Sequence, residues 1–170
     1  MTSGPEGAGP LASPGFWLHR AALAWLQDLD QRLRPLGLTH TQFVMLAAIS
    51  WLAVSQGVPT QQEVATFAGA DRMMTSRVVR GLIQRGLVSR EPDAHDARAV
   101  RLTITQPGQD LVSKAVRAAA QTDEMFFGTG HARQQLRDKL ASLAEHKLSL
   151  EAEPPHPPTR RSSPPRASKL

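Results

Sequence analysis

Residues 72–90 hold five arginines and no acidic residue. A guanidinium is a planar fork of donors that matches phosphate oxygens and the guanine edge, so such a run is suited to a polyanion. Stepping 100° per residue along 71–85 separates two faces. Thr75, Val78, Val79 and Leu82 fall together and are expected to pack inward, while Met73, Ser76, Arg77, Arg80 and Gln84 share the outer side. On that side Arg77 could pair bidentately with guanine and Met73 could lie against a thymine methyl. Arg72 and Ser76 are placed for phosphate, assisted by the backbone amides of the helix start. A second cationic point lies at residues 92–98, where Arg98 could enter a minor groove and Asp96 could hold the tip by accepting from arginine or turn amides. The plainer alternatives are a solvated face of a short helix and an ordinary polar hairpin turn.

The elements that must position these residues are legible around them. Thr60-Gln61-Gln62-Glu63 is a capping box opening a helix to about Phe67. Ala68-Gly69-Ala70 allows a sharp turn, and Asp71 is a good N-cap for a second helix that stops at Gly86. Two helices joined by a short glycine-containing turn form a helix-turn-helix. Residues 87–90 and 100–104 read as hairpin strands, with Val100, Leu102 and Ile104 alternating with Arg101 and Thr103. Upstream, Leu18, Ala22, Trp25, Leu29 and Leu33 form one helical stripe that Pro35 and Gly37 end. Thr39-His40-Thr41-Gln42 is another capping box, opening a helix apolar on most of its circumference and so expected to be central and buried. Val58 is expected to add a short third strand to the wing. Downstream, a helix begins at 105–108 with the stripe Leu111, Val112, Ala115, Val116, Ala119 and Phe126. Gly128-Thr129-Gly130 separates it from a last helix bearing Leu136, Leu140 and Leu143.

The expected fold is mainly α with a small β-wing: a winged helix-turn-helix flanked by N- and C-terminal helices. Residues 1–15 and 151–170 are rich in Gly, Pro and Ser and are expected to be disordered extensions. The folded domain should cover 16–150, with N-terminal helices at 16–56, the helix-turn-helix and wing at 60–105 and further helices at 106–150. Those outer helices exceed what a winged helix needs, and a two-fold dimer is the economical way to cover their stripes. Two recognition helices one DNA turn apart would then read a pseudo-palindromic site.

Composition narrows the classes. The formal net charge is +5 and cysteine is absent, which excludes disulfides, thiolate metal sites and thiol redox chemistry. No metal-ligand spacing, nucleotide-binding glycine loop or nucleophile elbow is present, so neither a cofactor nor an enzyme is expected. Asp93, His95 and Asp96 cluster on a hairpin tip without the burial that tunes catalytic groups. Without a long apolar run or a leader pattern, the sequence points to the cytoplasm and to no membrane partner.

The order and spacing of several short pieces resemble the MarR (multiple-antibiotic-resistance regulator) family of bacterial transcription factors. These are 38–43 (Leu-Thr-His-Thr-Gln-Phe), Ser76-Arg77, Leu82 with Gly86-Leu87-Val88, the wing signature Asp96-Ala97-Arg98, and Leu102-Thr103-Ile104-Thr105 with Gly108. The resemblance implies a homodimer whose first and last helices interlock, and repression of genes by binding operator DNA. It also implies release by small aromatic acids or other lipophilic ligands held between the dimer helices and the helix-turn-helix. Trp17, His19, Trp25, His40 and Trp51 are the candidates near such a cleft, although aromatics at helical spacing more often fill cores. Three positions depart from the family pattern: Ser76 replaces a usual threonine, Gly81 a usual charged residue, and Ala97 a frequent basic residue. The alternative function is a winged-helix module that contacts proteins and no longer reads DNA.

Overall fold

The computed structural model describes residues 9–93 and 99–152, with side chains described through 145. Its elements are α1 (Pro14–Leu33), α2 (His40–Ser55), α3 (Gln61–Phe67), α4 (Arg72–Gln84), β1 (Val88–Pro92), β2 (Val100–Ile104), α5 (Gln106–Phe127) and α6 (His131–Ala152). The chain divides at Gly128 into one unit holding α1–α5 and another holding α6. Among the described residues no single helix is long and apolar enough to cross a membrane.

Local chemistry sets most helix starts. Both capping boxes form: Thr39 accepts from the Gln42 amide and Thr60 from the Glu63 amide, while the Gln42 and Glu63 side chains accept from the cap amides. Each box satisfies two donors that a helix start otherwise leaves open. Asp71 caps α4 by accepting from the Met74 amide at 2.8 Å. Between α3 and α4 the chain turns through Gly69, whose φ of 61° lies in the left-handed region that a Cβ disfavours.

Helical structure begins ahead of the expected boundary at Phe16. A helical turn covers Pro10–Ala12, and α1 begins at Pro14 rather than at Phe16. Ser13 caps it by accepting from the Phe16 amide, and proline costs no hydrogen bond in a first turn. The Trp17 indole ties the two pieces by donating to the Leu11 carbonyl at 2.8 Å.

The main core gathers Met45, Leu46, Ile49 and Leu52 of α2 with Val64 of α3, Val79 and Leu82 of α4, Leu102 of β2 and Val112 of α5. A second cluster joins Leu29, Leu33, Leu38 and Ala115, with Trp25, Phe43, Leu111 and Ala119 around it. It forms the seam between α1 and α5. The upper half of the α1 stripe lacks such cover, for Leu18 and Ala22 are exposed. Nor is α2 buried all round. Trp51 is 62% and Val54 87% exposed, because α3 and α5 leave that side open.

β1 and β2 pair antiparallel, with Val88 opposite Ile104 and Pro92 opposite Val100. The expected third strand reduces to a single bridge between Thr60 and Arg101, beside a 2.8 Å bond from the Leu102 amide to the Pro59 carbonyl. Pairing thus falls just after Val58, whose own carbonyl accepts from the Arg101 guanidinium instead. Inside α4, a Cβ built on Gly81 meets no atom within 4 Å. Gly81→Ala should therefore stabilise the fold by about 1 kcal/mol through helix propensity and lost unfolded-state freedom. Thermal unfolding would show a higher midpoint; a lower one would contradict this account.

Candidate nucleic-acid interface

The expected two faces of α4 are present. Thr75, Val79 and Leu82 are buried, and Val78 is half-buried against the core. Arg72, Met73, Arg77, Arg80 and Gln84 are exposed, with Ser76 half-buried at the edge of that face. Met73 stands out at 77% exposure, a large apolar side chain left in water at the helix start. Burial of Thr75, Val79 and Leu82 sets the rotation of α4 and so the aim of its arginines, and the Thr75 hydroxyl is satisfied within the helix by donating to the Asp71 carbonyl at 2.9 Å.

Arg72 also lines a shallow cleft with Thr60, Gln61 and Gln62 of the α3 start and with Ala99 and Val100 at the foot of the wing. The helix-turn-helix and the wing therefore contribute to one continuous face. The two glutamines were not singled out by sequence; their position one and two residues after the Thr60 cap was the available signal. The wing-tip residues Asp96 and Arg98 lie outside the described residues.

A polar joint sits at the wing base. Asp93, expected on an exposed tip, is instead buried at the wing base, because its carboxylate accepts from the Arg101 guanidinium, which also donates to the Val58 carbonyl. The Asp93 amide donates to the Ala99 carbonyl at 3.0 Å and closes the loop between the strands. Beside it, the Thr60 backbone amide and then the Thr60 hydroxyl hold the Glu63 carboxyl below the usual carboxylate range, with Arg101 adding to the effect. Alternation along the strand predicts that Arg101 points freely outward, yet it is half-buried and joins three segments. Replacing it with methionine keeps the stem but leaves Asp93 poorly compensated. Arg101→Met should lower stability by roughly 1–2 kcal/mol, a buried-pair loss discounted for the exposed side of the guanidinium. Urea unfolding would measure it, and an unchanged midpoint would show the joint to be idle.

The five aromatic and histidine candidates for a ligand site do not gather in one cleft, although Trp25 and His40 touch. Trp51 lines an apolar groove of about 750 Å³ with Phe43, Val54, Phe67, Val116 and Arg117. His40 lines a different cleft beside Asp30 and Arg34. Burial lowers the pKa of His40, partly offset by the Asp30 carboxylate. Trp25 packs edge-on against His40 and donates its indole N–H to Asp123 at 2.9 Å, a structural role. Trp17 and His19 are exposed on α1.

A helix-turn-helix whose second helix turns its arginines outward beside a two-stranded wing defines a winged helix-turn-helix DNA-binding protein. The MarR family model matches residues 38–100. The HTH-type transcriptional regulator YdcH of Bacillus subtilis (strain 168), itself uncharacterised, is 31% identical over 140 residues, covering 82% of this chain and 95% of that protein. The transcriptional repressor CouR, solved bound to a 23-mer DNA duplex, is similar with a TM-score of 0.67 and 26% identity, over 85% of this chain and 99% of that one. Bordetella bronchiseptica BpsR, solved in a study of how 6-hydroxynicotinic acid regulates its DNA binding, has a TM-score of 0.68 and 26% identity, over 88% and 100%. The chain belongs to the MarR family; it is a DNA-binding transcriptional regulator and not an enzyme.

Proposed function

We propose that the protein is a homodimeric repressor that reads a pseudo-palindromic operator and is released by a small aromatic acid. The observation that carries the DNA part is the exposed outer face of α4, with Arg77, Arg80, Met73 and Gln84 and no carboxylate before Glu91. Arg77 would read a guanine, Arg72 and Ser76 would hold phosphate, and Arg98 would add a minor-groove anchor steadied by Asp96. Support for a dimer comes from apolar surface that this chain leaves in water: Leu18 and Leu23 on α1, and Leu136, Leu140 and Leu143 on α6. Covering those stripes with a second copy would also set two α4 helices on one face of a duplex. The repressor CouR and the ligand-regulated BpsR give the reading its precedents.

The groove at Trp51 suits the ligand. Its walls are largely apolar and aromatic, and Arg117 stands at its edge for a carboxylate. Of the five candidates named from sequence we assign the ligand contact to Trp51, because it lines this apolar groove, whereas His40 lines the separate cleft beside Asp30 and Arg34.

Mobility shifts with the DNA upstream of the protein's own gene test the proposal. Affinity should fall linearly on a log–log plot against salt, because each neutralised phosphate releases counterions. A salt-insensitive or undetectable interaction would sink it. Sedimentation should show a dimer, and an aromatic acid that quenches Trp51 fluorescence should weaken the shift.

A further inference from the structure

The chain has five methionines and no cysteine, so its thioethers are the sulfur available for oxidation. The described ones differ sharply. Met45 is buried at 1% exposure in the main core, and Met74 is 39% exposed. Met125 is 74% exposed, but its sulfur accepts from the Arg32 guanidinium at 2.7 Å. Met73 is the most open of the four at 77%, on the outer face of α4. It lies one helical turn before Arg77, so the two side chains are i, i+4 neighbours. It also sits within the acid-free arginine run, whose positive potential concentrates small anions.

We propose that Met73 is an oxidation site at which hypochlorous acid, drawn in as hypochlorite, switches off DNA binding. This rests on the reading of α4 as the DNA-reading helix. Hypochlorite takes up a proton from solvent to give HOCl; the sulfur lone pair then takes Cl⁺ from HOCl, the O–Cl bond breaks, and hydroxide leaves. Water then attacks the chlorosulfonium sulfur, chloride departs, and two protons are lost, one of them to that hydroxide. Sulfur is oxidised by two electrons and chlorine is reduced by two, giving sulfoxide, chloride and one net proton per HOCl. The product changes the face in two ways. A polar S=O replaces the apolar group that would meet a thymine methyl. Its oxygen is also a strong acceptor one turn from Arg77, and it competes with guanine for that guanidinium. The Arg32–Met125 pair shows a guanidinium of this chain already reaching a methionine sulfur. Because Met73 packs on no core residue, oxidation leaves the fold intact, and a methionine sulfoxide reductase can reverse it.

The experiment treats the full chain with hypochlorite, maps added oxygen by peptide mass spectrometry, and measures operator affinity before and after. Wild type should lose about tenfold or more in affinity, with oxygen at Met73 and an unchanged far-ultraviolet spectrum. Reductase treatment should restore binding. Met73→Leu, compared only with its own untreated affinity, should show no further loss on treatment, whereas Met125→Leu should remain sensitive. Undiminished binding by protein oxidised at Met73 would overturn the switch, as would equal losses by Met73→Leu and wild type. Oxidation at Met125 that spares Met73 would overturn it too. If untreated protein fails to bind DNA, the DNA-reading assignment itself falls, which is a separate and recognisable result.

Discussion

Gly108→Ala is expected to destabilise the fold by about 3 kcal/mol or more, with a fall of roughly 10 °C in the unfolding midpoint. A Cβ at Gly108 would stand 2.1 Å from the Leu87 carbonyl oxygen, 2.9 Å from the Ile104 Cγ1 and 3.0 Å from the Leu87 carbonyl carbon. Two of those three atoms are backbone and cannot rotate away. The same carbonyl accepts from the Thr105 amide at 3.1 Å, and the Thr105 hydroxyl donates to the Gly86 carbonyl at 2.7 Å while capping α5. Moving α5 back to admit a methyl group would loosen all of these bonds at the foot of the wing. Gly81→Ala, the same chemical change in open space, is expected to have the opposite sign. Differential scanning of the two variants tests both accounts together; a Gly108→Ala midpoint at or above wild type would show the crowding to be relieved at little cost.

Arg77→Ala should reduce discrimination between operator and random DNA by about 1–3 kcal/mol, roughly five- to 150-fold. Its guanidinium is exposed at the middle of the outer face of α4, and no described hydrogen bond to protein holds it. The substitution therefore removes a reading group without leaving a buried partner unsatisfied. Competition assays with operator and scrambled duplexes would separate this from a phosphate contact. A uniform loss on both duplexes, with a salt slope lower by about one, would reassign Arg77 to the phosphate backbone.

What could be read from the sequence was whatever neighbouring residues decide. The caps at Thr39, Thr60 and Asp71 engage atoms three residues away, so residue type and spacing suffice to predict them. The two faces of α4 follow from helical geometry for the same reason. Arg101 was misread because its partners, Asp93 and Val58, reach it only once the strand register and the α2–α3 connection are set. Gly108 gave a helix start but not its contact with Leu87, which lies across a hairpin. Ser13 and Pro14 carried a helix-start signal that the surrounding Gly and Pro obscured. For α2, a largely apolar circumference predicted the central buried helix, and Met45, Leu46, Ile49 and Leu52 are in the core, while Trp51 and Val54 show that a helix can also be apolar toward a face its own chain does not cover.

The joint at Arg101 bears on binding entropy. A wing free to swing would lose that freedom each time it settled on a duplex, offsetting part of what its contacts contribute. Asp93, Val58 and the Pro59–Leu102 hydrogen bond fasten the base of the wing to the connection before α3, which limits that swing. If α4 and the wing both contact DNA as proposed, docking of one would present the other at high effective concentration, and the second contact would form almost as an intramolecular step.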